Sequence, residues 1–306
     1  MPRRSKGLLI LLVAAALLLA VAAGQHYRFF EQSWFEFRQW QHASQWKDRS
    51  VWLRDYQAAI QGKAIEGIDD DLSALTFNPD RNTLVAVTNA NSRWLELSLD
   101  GELLREIPME GFGDPEAIEY VAPGLYVISD ERTQQLLLVR IGDETRVIDA
   151  AGAQQLSLAI DRNGNKGFEG LAYDSKGQRL FVAKERDPVR IYEIEGFPQT
   201  GTGQVLDVKV SEDAERDARL FVRDLSSLHY DEKYDHMLVL SDESRMVVEL
   251  DKEGHPISQL LLRAGAHGLD DTVPQAEGMT MGPDGTLYLV SEPNLFYTFV
   301  RGGKAP

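Results

Sequence analysis

The 306-residue chain contains no cysteine, which excludes disulfides, thiolate nucleophiles and cysteine-ligated zinc while leaving the compartment open. Histidine is scarce: His26, His42, His229, His236, His255 and His267 are the whole set, and none forms a recognisable ligand pair. His229 alternates with Leu228 and Tyr230, as a side chain lining an interior would, and a hydrogen-bonded structural role is expected there. Basic residues are in deficit, with 32 Lys and Arg against 48 Asp and Glu for a net charge of −16. A duplex nucleic acid needs a basic footprint, so no nucleic-acid partner is expected. Cations suit such a surface, although acidity can do no more than maintain solubility. Also missing are a serine-centred nucleophile elbow, a phosphate-cradling glycine loop and a dinucleotide signature.

What is present begins with Leu8 to Ala23, sixteen consecutive apolar residues behind Arg3, Arg4 and Lys6 and between Gly7 and Gly24. Helix continued through Gly24 would cross a thin bilayer. The basic flank predicts the amino terminus inside and everything after residue 24 outside the cytoplasm. Residues 1–24 are therefore expected to be an inner-membrane anchor, giving a single-pass protein of the cell inner membrane with its C-terminal domain in the periplasm. A cleaved signal peptide is the competing reading, because Ala20-Val21-Ala22 has the small-x-small form a peptidase accepts. Residues 25–53 form a juxtamembrane linker with Phe29, Phe30, Phe35, Phe37 and four of the five tryptophans, Trp34, Trp40, Trp46 and Trp52. Two readings of this aromatic helix stand level: one lies near the bilayer surface, the other packs on the main domain.

The main domain is a repeat. Gly167-Phe168-Glu169-Gly170-Leu171-Ala172-Tyr173 has four relatives, which start at Asp71, Asp114, Asp224 and Gln275. In all five the third position is Glu or Ser, the fourth is small, the fifth is aliphatic or Met, and the seventh is aromatic or Met. Each start leads through a turn to a second strand (Leu84–Thr88, Leu125–Ser129, Leu180–Lys184, Met237–Ser241 and Leu287–Ser291) and then a third, rich in β-branched and aromatic residues. A fourth strand is clearest at Leu103 to Ile107. Such antiparallel units describe an all-β fold, a five-bladed β-propeller over residues 54–301, with six blades as the alternative and 302–306 as a tail. The last unit ends near Val300 without an outer strand, which residues 56–65 can supply to close the ring. The larger insertions, around 150–166 and 196–223, read as loops.

In an antiparallel unit the start of the first strand and the end of the second share one edge. Ser73, Glu116, Glu169, Ser226 and Glu277 are thereby expected beside a second polar column, Asn89, Asp130, Glu185, Asp242 and Glu292, reinforced by Glu131 and Glu243. Clustered carboxylates raise each other's pKa unless a cation offsets them. With no cysteine and no histidine group, the oxygen set points to calcium or magnesium rather than zinc or copper. Strand parity raises an objection, since Glu169, Leu171 and Tyr173 share one face of an ideal strand. On that count the glutamates would pin neighbouring blades through backbone N–H groups instead. Asp161-Arg162-Asn163-Gly164-Asn165 begins like an EF-hand loop but fails at Lys166 and Ala172, so an exposed turn is expected. Lys184 replaces a small hydroxyl residue in its column and is expected to pair with an acid at the mouth, or else to receive an anion.

The stretches Asp71-Leu72-Ser73-Ala74-Leu75-Thr76, Ile128-Ser129-Asp130-Glu131-Arg132, Gly167 to Tyr173, Leu240-Ser241-Asp242-Glu243-Ser244-Arg245, Gln275 to Met279 and Val290 to Tyr297 resemble the SdiA-regulated, YjiK-like family of bacterial envelope proteins. The resemblance covers about residues 54 to 301, and the anchor ahead of them fits it. It implies a five-bladed propeller with a calcium-binding region, for which Glu116, Glu169 and Glu277 are the candidate residues and the adjacent acids the neighbourhood. It implies no settled activity.

Three functions follow as expectations. The first is a calcium-binding propeller tethered to the inner membrane, which displays one face to a periplasmic ligand or protein. The second is a calcium-dependent hydrolase of an ester, lactone or phosphate ester, with an acid at the mouth as base. The third is a metal-free structural interaction protein.

Overall fold

The computed structural model describes residues 3–69, 71–158, 167–199 and 207–302. The EF-hand-like turn at 161–165 and the end of the tail, 303–306, lie outside the described residues. Two helices come first, α1 (Arg3–His26) and α2 (Phe29–Trp46), separated only by Tyr27 and Arg28. Within α1 the stretch Gly7–His26 is long and apolar enough to cross a membrane, and none of it is buried.

α2 has two faces. Gln32, Phe35 and Gln39 are buried at helical spacing, with the Phe35 ring 4.8 Å from that of Phe221. Phe29, Phe30, Trp34, Phe37 and Trp40 are exposed. The linker thus packs on the main domain through one face and leaves an aromatic stripe on the other. Beyond α2, the Glu249 carboxylate accepts the N–H groups of Val51 (2.8 Å) and Trp52 (3.0 Å), which fixes the chain as it enters the domain.

The rest is a ring of five sheets. Chain order begins with β1 (Tyr56–Ala64), then the first sheet, β2 (Leu72–Asn78), β3 (Thr83–Thr88), β4 (Arg93–Leu97) and β5 (Leu103–Glu110). The second sheet holds β6 (Pro115–Ala122), β7 (Leu125–Asp130) and β8 (Gln135–Arg140). After it, β9 (Ile148–Asp149) pairs in parallel with β5, and β10 (Gln154–Ser157) returns as the second sheet's outer strand. The third sheet is β11 (Phe168–Asp174), β12 (Arg179–Lys184), β13 (Arg190–Glu195) and β14 (Lys209–Glu212), followed by the short helix α3 (Ala214–Arg219). The fourth is β15 (Ser227–Asp231), β16 (His236–Ser241), β17 (Met246–Leu250) and β18 (Pro256–Leu261). The fifth is β19 (Ala276–Met281), β20 (Leu287–Ser291) and β21 (Leu295–Arg301), with β1 as its outer strand, Tyr56 opposite Arg301 and Ala64 opposite Leu295.

The insertions near 150–166 and 196–223 are therefore not loops alone, since they contain β10, β14 and α3. Outer strands lie half in solvent, and a sequence such as Lys209-Val210-Ser211-Glu212 carries no apolar run to mark it.

Why the ring closes is visible in its packing. The second strands β3, β7 and β16 are buried along their whole length because each sheet is covered on both faces, hence their continuous apolar runs. Apolar side chains of consecutive sheets mesh all the way round: Val85 and Trp94 with Ile118 and Tyr126, Leu136 with Leu171 and Val182, Ala183 with Leu228 and Val239, Leu240 with Met279 and Leu289, and Val290 with Leu75 and Ala86. The five first strands lie side by side around the axis, β19 returning to β2. Small residues at the fourth motif position permit that approach: a Cβ added to Gly278 would fall 2.6 Å from the backbone of Ala74 and Leu75.

Candidate metal centre

The parity objection is answered by a β-bulge repeated at one column. Pairing skips a residue between Leu72 and Ala74, Pro115 and Ala117, Phe168 and Gly170, and Ala276 and Gly278. The skipped residues are Ser73, Glu116, Glu169 and Glu277. A bulge adds one residue to one strand and re-aims its side chain. The glutamates therefore leave the apolar face that regular alternation would assign them. In the fourth sheet Ser226 precedes the regular strand, and its Oγ accepts the N–H of Asp242 at 3.3 Å.

The three glutamates lie near enough for their charges to interact. Glu169 feels the charges of Glu185, Glu277, Glu116 and Glu131, and Glu277 those of Glu292, Asp242, Glu116 and Asp224. Burial is the larger cause in each case, and with these neighbours it pushes the carboxyl of Glu277 up to about 8 and that of Glu169 well above its ordinary value. Glu116 is likewise pushed up to about 8, first by burial and then by Asp114 and Glu131, against the opposing hydrogen bond from Asn89. Burial also raises Glu131, Glu185 and Glu292.

The second polar column closes around them with one change of register. Tyr120 pairs with Tyr126 as Phe77 pairs with Leu84 and Tyr173 with Leu180. On this alignment Asn89, Glu131, Glu185, Asp242 and Glu292 are equivalent, and Asp130 stands one residue earlier, in line with Thr88, Lys184, Ser241 and Ser291. Asp130 is instead buried under its own turn, accepting the N–H groups of Gly113 and Thr133. Lys184 is buried and donates to the carbonyl of Asp187 at 3.1 Å.

Among the described residues, Asp114, Glu116 and Glu131 converge, one carboxylate oxygen from each lying within 4.8 Å of the others. Asn89 Nδ2 donates to Glu116 Oε1 at 3.3 Å. The Ser73 hydroxyl lies close enough to the same carboxylate to favour its charged form, and Asn89 Oδ1 is buried without a hydrogen-bond partner. A buried orphan oxygen and a hydroxyl beside three converging carboxylates fit a hard cation, which would use them as ligands. Asp114 was not singled out by sequence, although Asp at the motif's first position, shared with Asp71 and Asp224, was its available signal. A second cluster, Asp251, Glu253 and His255, lies in the turn between β17 and β18, where Asp251 accepts the N–H groups of Glu253 (3.1 Å) and His255 (2.7 Å) and so closes that turn.

Several arginines neutralise acids on one side of the mouth. Arg186 pairs with Glu185 and Glu243, Arg223 with Glu243, and Arg245 with Asp242. Among the described residues, Asp114, Glu116, Glu131, Glu169 and Glu277 form no ion pair with Lys or Arg. Deeper along the first strands, the sixth motif position joins blades together. Thr280 accepts the N–H of Phe77, Thr76 that of Tyr120 and Glu119 that of Tyr173. Interblade pinning, expected of the third-position glutamates, is made here by this column, and also by Ser227, which accepts the N–H of Met279 at 3.2 Å. His229 occupies it in the fourth sheet, where burial holds its imidazole down to about 4.

A family model described as SdiA-regulated matches residues 48–300. Similar solved structures include a chain of a nidogen/laminin complex (13% identity, 72% of each chain covered, TM-score 0.46). A streptogramin B lyase is similar at 12% identity over 77% of this chain and 67% of that one, TM-score 0.41. So is a virginiamycin B lyase from Staphylococcus aureus, at 13% over 77% and 68%, TM-score 0.41. At these identities and scores no chemistry carries across.

Proposed function

We propose that this chain, which belongs to the SdiA-regulated family, is a periplasmic propeller that is tethered to the inner membrane by α1, binds calcium at its mouth and holds a ligand or protein there. The observation that carries the reading is the convergence of Asp114, Glu116 and Glu131 with the orphaned Oδ1 of Asn89 and the hydroxyl of Ser73. All are hard oxygen donors, and carboxylate oxygens lying within 4.8 Å of one another are near enough to share one calcium with ligands at about 2.3–2.6 Å. Magnesium, which sheds water reluctantly and demands an octahedron, is the weaker fit to a set drawn wholly from protein. Glu169, Glu277, Glu185, Asp242 and Glu292 supply the surrounding negative field, and Asp130, its carboxylate taken up by the N–H groups of Gly113 and Thr133, adds to the charge felt by Glu131 without lying in the column.

A cation held there would bridge the first sheet, through Asn89 and Ser73, to the second. Binding confined to the native state stabilises it by mass action. The exposed run of α1 and the basic residues ahead of it support the tether and the periplasmic side.

The test is a thermal melt of the full chain in lipid nanodiscs with EDTA, calcium or magnesium. Calcium is expected to raise Tm more than magnesium does, and Glu116→Gln is expected to abolish the rise while still folding. A wild-type Tm indifferent to calcium would remove the reading.

A further inference from the structure

We propose that α2 lies in the polar–apolar boundary of the bilayer with Phe30, Trp34, Phe37 and Trp40 immersed, so that the propeller rests on the membrane along its fourth sheet and its acidic mouth opens along the membrane surface. This rests on α1 spanning the membrane, and goes further by fixing how the domain sits on it.

The four rings follow one another at helical spacing on the side of α2 opposite its packed residues Gln32, Phe35 and Gln39. Trp34 is 62% exposed and Trp40 66%, and a contiguous apolar surface of that kind is a contact site rather than ordinary surface. Its position selects the occupant. Only Tyr27 and Arg28 lie between α1 and α2, and two residues reach at most ~7 Å, so α2 starts at the surface that α1 crosses. Tryptophan at that depth is characteristic of the membrane–water boundary. The domain is acidic, which repels anionic lipid, so the attraction that holds it down must be apolar.

Orientation comes from the two ends of α2. At its start, the Arg223 guanidinium sits 5.2 Å over the Tyr27 ring and pairs with Glu243 on the rim of the mouth. At its end, the Trp46 ring is 6.0 Å from that of His236, the first residue of β16, whose last residue, Ser241, lies at the rim. α2 therefore runs beside the fourth sheet from the mouth to the opposite end of the ring. A helix lying in the membrane plane turns the axis of the ring parallel to that plane, with the Glu243 corner of the mouth nearest the lipid.

Because the chain has no cysteine, single nitroxide labels can be placed without background. Full-length Leu17→Cys, Phe37→Cys and Val147→Cys variants, all at exposed positions, are labelled and reconstituted in liposomes of phosphatidylethanolamine and phosphatidylglycerol. Collision rates with oxygen and with a water-soluble nickel chelate are then compared. Oxygen is expected to dominate at 17 and 37, with the ratio inverted at 147. Lipid access at 17 combined with water access at 37 overturns this proposal and leaves the anchor standing. Water access at 17 removes the anchor and this proposal with it. A label at 37 shielded from both reagents shows a protein covering the stripe and also overturns it.

Discussion

Glu131, just past the end of β7, accepts a hydrogen bond from the backbone N–H of Gly167 across the joint between the second and third sheets, 2.9 Å from Oε1 to N. A Cβ on Gly167 would stand 2.0 Å from Glu131 Cγ. The glycine leaves room for a carboxylate that crosses from one blade to the next, and the hydrogen bond orients that carboxylate toward Asp114 and Glu116. Gly167→Ala is therefore expected to swing Glu131 away and weaken calcium binding about 10–100-fold, as loss of an orienting partner does. Isothermal titration checks this, and the EDTA-treated protein should melt close to wild type because a flexible side chain can give way.

Glu119 lies deep on the axis, accepting the Thr76 hydroxyl at 2.9 Å and the Tyr173 N–H. Burial pushes its carboxyl up from 4.5 to about 8. The folded state thus keeps a proton that the unfolded chain releases near its ordinary value. The associated stability is present below about pH 4.3, the unfolded carboxyl's range, and is lost as pH rises toward about 8. In EDTA, Tm is expected to fall between pH 5 and pH 8 and to fall less in Glu119→Gln, whose amide oxygen can still accept the Tyr173 N–H. Each tenfold change in proton affinity is about 1.4 kcal/mol, or a few degrees in a chain of this size. Equal slopes in the two proteins would show that Glu119 is not the group responsible.

Gly278 sits where β19 meets β2 and the ring closes. Its substitution by alanine would drive a methyl into the backbone of Ala74 and Leu75. Overpacking of this kind costs about 1–3 kcal/mol, here at the upper end because backbone rather than a side-chain tip is struck. Urea unfolding of Gly278→Ala should show a lower midpoint, with calcium affinity less affected than in Gly167→Ala.

Glu249 is fully buried and accepts from Val51, Trp52 and the Ser258 hydroxyl, with His236 Nδ1 2.9 Å away. Glu249→Ala would leave those donors unsatisfied, at about 1–3 kcal/mol for each buried group. Beyond a lower Tm, trypsin is expected to cut faster after Lys47 and Arg49, because the segment joining α2 to the ring loses its attachment. Unchanged cleavage in that segment would show that the packed face of α2 holds it without Glu249.

Much of this protein is written in its local sequence. Five starts with a shared column pattern, each followed by strands buried on both faces, determine a five-sheet ring, because strand propensity and burial are set by residues close together in the chain. The sixteen-residue apolar run marks α1, and the excess of Asp and Glu marks an acidic mouth. Only the tertiary structure decides where the acids point. One skipped residue in each of their strands turns Glu116, Glu169 and Glu277 away from the apolar face, and pairing with the second strand puts Glu131 rather than Asp130 in the column. The same applies to β10 and β14, polar strands identified only by the neighbours they pair with. Side-chain direction in a sheet is fixed by the hydrogen-bond register between strands, and a shift of one residue reverses it while leaving composition and spacing as they were.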